Sequence, residues 1–183
     1  MPALSPGIGF LDLGCGAGVD VFRSAKLVGG NGFVTGVDMT PEMITQARKN
    51  AFKGGFRNVD FKLGEVEDLP VGDESYNVVI SNCVINLVPD KKLAFQEIYR
   101  VLKPGGHFCI SDIVTNGEIP DTVRADLDAW AACVSGALDK KEYLGLLTEA
   151  GFTSVKVIQT NIYGQNLNDQ FELESVTVVG YKN

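Results

Sequence analysis

A single histidine, His107, stands among 183 residues. That scarcity argues against a multi-histidine metal site and leaves almost no material for a histidine-based triad. The four cysteines, Cys15, Cys83, Cys109 and Cys133, form no CxxC pair. No basic stretch followed by an apolar stretch opens the chain. The cysteines therefore read as thiols rather than as a disulfide framework, and a cytoplasmic location is expected. No apolar run approaches the length of a membrane span, so no membrane partner is expected. Basic residues are also in deficit, 16 against 23 acidic, for a net charge of −7. A nucleic acid needs a basic footprint, so no nucleic-acid partner is expected. Internal repeats, low-complexity tracts and linkers are missing too. Apolar residues make up 45% and charged residues 21% of the chain. That is ordinary for a globular protein long enough to bury one full core, and residues 1–183 read as one domain.

Strand and helix signals alternate through the first two thirds. "GIGFLDLG", "GFVTGVD", "VDFKLGE", "SYNVVISN" and "GHFCISDI" are short apolar runs of the kind that form buried parallel strands. Between them lie helical patterns. "TPEMITQARKNAFKGG" offers Thr40 as N-cap, Pro41 at the first helical position and a Gly-Gly stop. "DKKLAFQEIYRVLKPGG" is amphipathic and closes at Pro104 and its glycines. This βα alternation predicts an α/β fold, a doubly wound and mostly parallel sheet. Residues 114–150 read as a mostly helical segment on the substrate side, broken near Ser135 and Gly136. "SVKVIQTNIY" and "ESVTVVGYK" are strands with no helix between them, so they must pair antiparallel.

The turn "LDLGCGAGVD" joins the first strand to the first helix. Gly14, Gly16 and Gly18 let backbone approach a ligand and let the helix start tightly. The dinucleotide fingerprint GxGxxG needs glycine where Val19 stands, and no GK[ST] follows as a P-loop requires. Asp12 brings a negative charge to the strand end, which suits a cationic ligand better than a pyrophosphate. Asp38 ends the second strand, twenty residues after Gly18. From there a carboxylate reaches ribose hydroxyls in doubly wound nucleotide folds. Each signal also has a bland reading, a tight connection or a helix cap.

Taken with "GEVEDLP" and "LKPGG", the set resembles the class I S-adenosylmethionine-dependent methyltransferases over essentially the whole chain. The resemblance implies a Rossmann-like seven-stranded sheet with its last strand antiparallel. It implies S-adenosylmethionine as cofactor, with Asp12, Gly14, Cys15 and Gly16 at its amino-acid end and Asp38 on its ribose. Met39 would pack on the adenine. Glu65 and the Val66 backbone would bond the adenine edge, and Asn82 would face the methionine portion.

Cys83 follows the fourth strand, where open α/β sheets bind their ligands. Cys133 lies in "AACVSGAL". Thiols from two walls of one cleft can hold a thiophilic atom. A cysteine is also commonly a small buried hydrophobe, and Cys109, inside a strand, is read that way. "SNCVINL" and, fifty residues on, "CVSGAL" resemble the arsenite S-adenosylmethionine methyltransferases. That resemblance implies Cys83 and Cys133 as the thiols that bind trivalent arsenic. It also implies arsenite or its thiol conjugate as substrate, a thiol reductant as partner and a role in arsenic detoxification. Family members carry an N-terminal segment with a lid and a further cysteine; here no cysteine precedes Cys15. Two alternatives stay open. One is a C- or O-methyltransferase of a small organic acceptor such as a quinone precursor. The other is a cofactor-binding module without catalysis. His107 and Trp130 read as structural.

Overall fold

The structure, a computed structural model, describes residues 7–117, 136–162 and 172–183. Its strands are β1 (Gly9–Leu13), β2 (Phe33–Asp38), β3 (Val59–Leu63), β4 (Tyr76–Asn82), β5 (Leu102–Asn116), β6 (Thr153–Ile162) and β7 (Glu172–Tyr181). The described helices are α1 (Val19–Val28), α2 (Pro41–Gly54), α3 (Lys91–Val101) and α4 (Lys140–Glu149), with a short 3-10 turn at Ile85–Leu87. The seven strands form one sheet in the order β3-β2-β1-β4-β5-β7-β6. β1 to β5 pair in parallel, and β7 runs antiparallel to both β5 and β6. Both expectations, the doubly wound sheet and the antiparallel closing strands, are met.

Strand alternation explains the two packed layers. Phe10 and Val78 face one side and pack with Val21, Ala25, Ile44 and Ala47 of α1 and α2. Leu11, Leu13 and Val79 face the other and pack with Phe95, Ile98 and Tyr143 of α3 and α4. The central strands are thus buried on both faces and read as continuous apolar runs. Helix ends are tied by side chains. The Asn58 amide donates to the carbonyls of Ala25 and Gly29 at 3.1 Å each, closing α1. Asp90 caps α3 by accepting from the Leu93 N–H at 2.9 Å, and Asp139 caps α4 by accepting from Lys141 N–H at 2.9 Å.

Three details differ from the sequence reading. Thr40 is the N-cap of α2, but its side chain makes no capping bond. Its own N–H is taken by Asp38 Oδ1 at 2.9 Å, which fixes the strand end instead. β5 begins at Leu102, before the Lys-Pro-Gly-Gly turn, because Leu102 already pairs with Tyr76; the ladder then shifts register and resumes at His107 and Val78. Pro104 sits in that irregularity, where its missing N–H breaks no ladder bond. Val114 to Asn116, expected in the helical segment 114–150, are instead the end of β5, where they pair with β7; residues 118–135, with Trp130 and Cys133, lie outside the described residues. No described helix is long and apolar enough to cross a membrane.

Candidate functional site

Strand order reverses between β1 and β4, because β2 and β3 extend one way and β5 the other. In open α/β sheets the crevice at the carboxyl ends of such strands takes the ligand. A cavity of about 460 Å³ opens there. Its walls are Gly14, Asp38 to Thr40 at the end of β2, Gly64 to Glu67 after β3, and Val84 and Leu87 to Pro89 after β4. Of the expected cofactor residues, Gly14, Asp38, Met39, Glu65 and Val66 line it.

The glycine loop is shaped by two close approaches. Gly14 has φ 66, and a Cβ there would overlap the Val84 side chain. Gly18, with φ 94, starts α1 in the left-handed region, with Phe22 and Phe61 packed against its Cα. The Asp38 carboxylate clamps the loop, accepting from Gly16 N–H at 2.8 Å while also holding Thr40 N–H. Two acceptances leave a carboxylate with lone pairs to spare.

Asp12, Cys15, Gly16 and Asn82 lie beside the cavity rather than on its wall. Asp12 is 5% exposed. Burial, then repulsion from Asp20 and Asp38, pushes its carboxyl up to about 8. Cys15 turns its thiol into the core, where a Cβ on Gly36 would stand 2.7 Å from the sulfur. Burial first, then Asp12 and Asp38, raises that thiol to about 12, which keeps it neutral in its packed position. Asn82 is exposed at the end of β4, beside Ser111 in the ladder.

Cys83 is half-buried and has φ 56, a conformation that costs a non-glycine residue about 1–2 kcal/mol. Its N–H donates to the Ser111 carbonyl at 2.8 Å, which holds it there. Glu74 and Ser154 are the other described non-glycine residues at positive φ, but Cys83 is the one that immediately precedes Val84 of the cavity wall. Cys109 is half-buried within β5, and burial raises its thiol. His107 starts the regular part of β5, toward the amino-terminal end of that strand, with its ring 5.6 Å from that of Tyr181. Burial lowers its pKa. Among the described residues no group of three or more His, Cys, Asp or Glu could hold a metal ion.

Sequence reasoning missed the apolar wall at Val84 and Leu87 to Pro89, and a buried polar layer behind it. Asn86 is fully buried and donates through Nδ2 to the Ile113 carbonyl at 2.7 Å. Tyr143 OH, from α4, donates to Asp112 Oδ2 at 3.0 Å. Burial pushes Asp112 up to about 7, against the lowering effects of Tyr143, the Asn86 backbone and Lys91. An asparagine within an apolar run, as in "VINLV", was the available signal for a buried, bonded amide.

Residues 4–151 match the family described as "Methyltransferase domain", and the chain belongs to that family. Within it, the chain is similar to proteins named arsenite methyltransferase. The one from Halobacterium salinarum is 52% identical over 155 residues, covering 85% of this chain and 40% of that protein. The one from Homo sapiens is 42% identical over 161 residues, covering 83% of this chain and 43% of that protein. The chain thus spans less than half the length of these curated relatives. Among solved structures, it superposes with a TM-score of 0.89 on an arsenic(III) S-adenosylmethionine methyltransferase from Chlamydomonas reinhardtii, with 37% identity, covering 100% of this chain and 66% of that one. The Rossmann-like methyltransferase fold expected from the sequence is the fold observed.

Proposed function

We propose that this chain carries the methyl-transfer core of an arsenite methyltransferase, moving a methyl group from S-adenosylmethionine to trivalent arsenic held by the thiolates of Cys83 and Cys133. The observation that carries the reading is the place of Cys83. It is held at positive φ on the carboxyl edge of the sheet, one residue before the cavity wall.

The residues present fit the cofactor. A buried carboxyl whose neighbours all raise its pKa, Asp12, suits a cationic ligand at the amino-acid end. The Asp38 carboxylate keeps acceptor capacity for ribose hydroxyls beyond its two backbone bonds. Met39, 73% exposed at the cavity rim, offers a polarizable surface to a flat base, with Glu65 and the Val66 backbone beside it. When bound, S-adenosylmethionine supplies a methyl group activated by a positively charged sulfur.

Arsenic enters as substrate. Each thiol takes an arsenic valence from a hydroxyl, forming one S–As bond and releasing one water, so charge and protons balance. Trivalent arsenic keeps a lone pair, so attack on the methyl carbon needs no general base. His107 stands toward the amino-terminal end of β5, away from the carboxyl ends of the strands, in keeping with chemistry that does not use it. The protein's task is alignment and exclusion of water. The reading takes a thiol reductant as partner and a reducing compartment, the cytoplasm, as location.

The test is formation of S-adenosylhomocysteine with arsenite and glutathione, for wild type, Cys83→Ser and Cys133→Ser. Loss of arsenite-dependent turnover in both variants, with cofactor binding retained, supports the proposal. Turnover that survives both substitutions sinks the thiolate site and points to an organic acceptor. Cofactor binding with no turnover by the wild type favours the non-catalytic reading.

A further inference from the structure

Two lysines open α3, and they behave differently. Lys92 reaches into solvent and pairs with Glu149 at 3.1 Å. Lys91 is half-buried and bends back toward the turn that precedes the helix. Its ammonium donates to the Asn86 carbonyl at 3.2 Å and to the Val88 carbonyl at 2.9 Å. Those two carbonyls lie within and just past the 3-10 turn Ile85–Leu87. The turn's own bonds, from Leu87 N–H and Val88 N–H, use the carbonyls of Val84 and Ile85. The closing carbonyls of a helical turn are its electronegative end, where a cation is favoured.

In every other respect the position is unfavourable for a lysine. A cation in the first turn of α3 opposes that helix's dipole. Burial lowers the Lys91 pKa, with the carboxylates of Asp112, Glu67 and Glu142 opposing the fall. A side chain of this length could escape both costs by swinging into water, as Lys92 does. What the ammonium holds is the exit of the turn, and the exit is cavity wall: Leu87, Val88 and Pro89 line the cavity together with Met39, Glu65 and Val66. The Asn86 side chain fixes the same turn from behind, on the Ile113 carbonyl at 2.7 Å.

We propose that Lys91 is a positioning residue of the cofactor site: its ammonium pins the exit of the 3-10 turn and so fixes the wall, Leu87 to Pro89, against which the adenosine part of S-adenosylmethionine lies. The inference rests on the cofactor reading above and not on the arsenic thiolates. A wall fixed before binding spares the ligand the cost of ordering it.

The test is calorimetric binding of two ligands, S-adenosylmethionine and methylthioadenosine, which lacks the amino-acid part. Lys91→Met keeps the length of the side chain and removes both bonds. It should weaken the two ligands by the same factor, about tenfold, because both carry the adenosine. Lys91→Arg offers several N–H donors to the same carbonyls and should bring both affinities back to within about threefold of wild type. Unchanged affinity for both ligands in Lys91→Met overturns the proposal. So does a loss confined to S-adenosylmethionine, which would place the effect at the amino-acid end. An equal loss in Lys91→Met and Lys91→Arg, with urea midpoints lowered alike, shows general loosening and also overturns it. If Lys91→Met does not fold, Lys91→Gln takes its place, with a smaller loss expected for both ligands and no loss counting against the proposal. A wild type that binds neither ligand sinks the cofactor reading itself, and this inference with it.

Discussion

Asp12→Asn should stabilise the protein without cofactor, and increasingly so as pH rises. Asp12 lies on β1 between two fully buried leucines and is 5% exposed. Its carboxyl stands at about 8 in the folded chain against 3.8 for the ordinary group. The sign follows from linkage. A raised folded value means that the contribution to stability is present below pH ~4 and lost as pH rises through about 8. In that window the unfolded chain ionises Asp12 and the folded chain does not, so each pH unit costs about 1.4 kcal/mol. Asparagine keeps the shape and removes the titration. Its stabilisation over wild type should therefore grow by about 2–3 kcal/mol between pH 5 and pH 7. Any packing cost of the amide is the same at both pH values and leaves the slope untouched. Urea denaturation of both proteins at the two pH values measures it. A difference that does not change with pH refutes the reasoning. Cofactor affinity should move the other way: a cationic ligand favours the carboxylate, so the wild type should release a proton on binding S-adenosylmethionine near pH 7. Calorimetry in buffers of different ionisation enthalpy reads that proton, and Asp12→Asn should neither release it nor bind as tightly.

Gly14→Ala places a methyl group into Val84 and demands φ 66 of a residue with a Cβ. It should weaken S-adenosylmethionine at least tenfold by calorimetry, order of magnitude, because the loop and the cavity wall must separate. Tyr143→Phe removes the hydroxyl that donates to Asp112 Oδ2 and so raises Asp112 above its value of about 7. The raised carboxyl loses stability as pH climbs through 7, and the variant should lose about 1–3 kcal/mol more at pH 8 than the wild type does, with a smaller deficit at pH 6, read by urea midpoints.

The strands of this fold were legible because parallel strands covered on both faces become apolar runs, and those runs stood between glycines and caps. Part of the cavity wall was legible for the same reason. Gly14, Asp38, Met39, Glu65 and Val66 sit at strand ends, and strand ends are where the topology opens the cavity. Side-chain direction was not legible. Cys15 belongs to the glycine loop, yet Gly36 on the neighbouring strand leaves a hole beneath it, and the thiol fills that hole. No local pattern pairs residue 15 with residue 36. Asp112 and Tyr143 meet across 31 residues, and Asn86 looks like a polar break in an apolar stretch until the Ile113 carbonyl is placed beside it. These are contacts of tertiary packing, and spacing along the chain does not encode them.

One contact ties the two halves of the proposed chemistry together. Val84 packs against the bare Cα of Gly14 and at the same time lines the cavity. It directly follows Cys83, whose N–H is bonded to Ser111. A shift in the glycine loop on cofactor binding therefore presses on the residue next to the thiol, and a shift of the thiol turn presses on the loop. Interiors packed this closely transmit such displacements instead of absorbing them. Binding of cofactor and binding of a thiophilic substrate should accordingly be coupled, and by linkage the coupling must be equal in both directions.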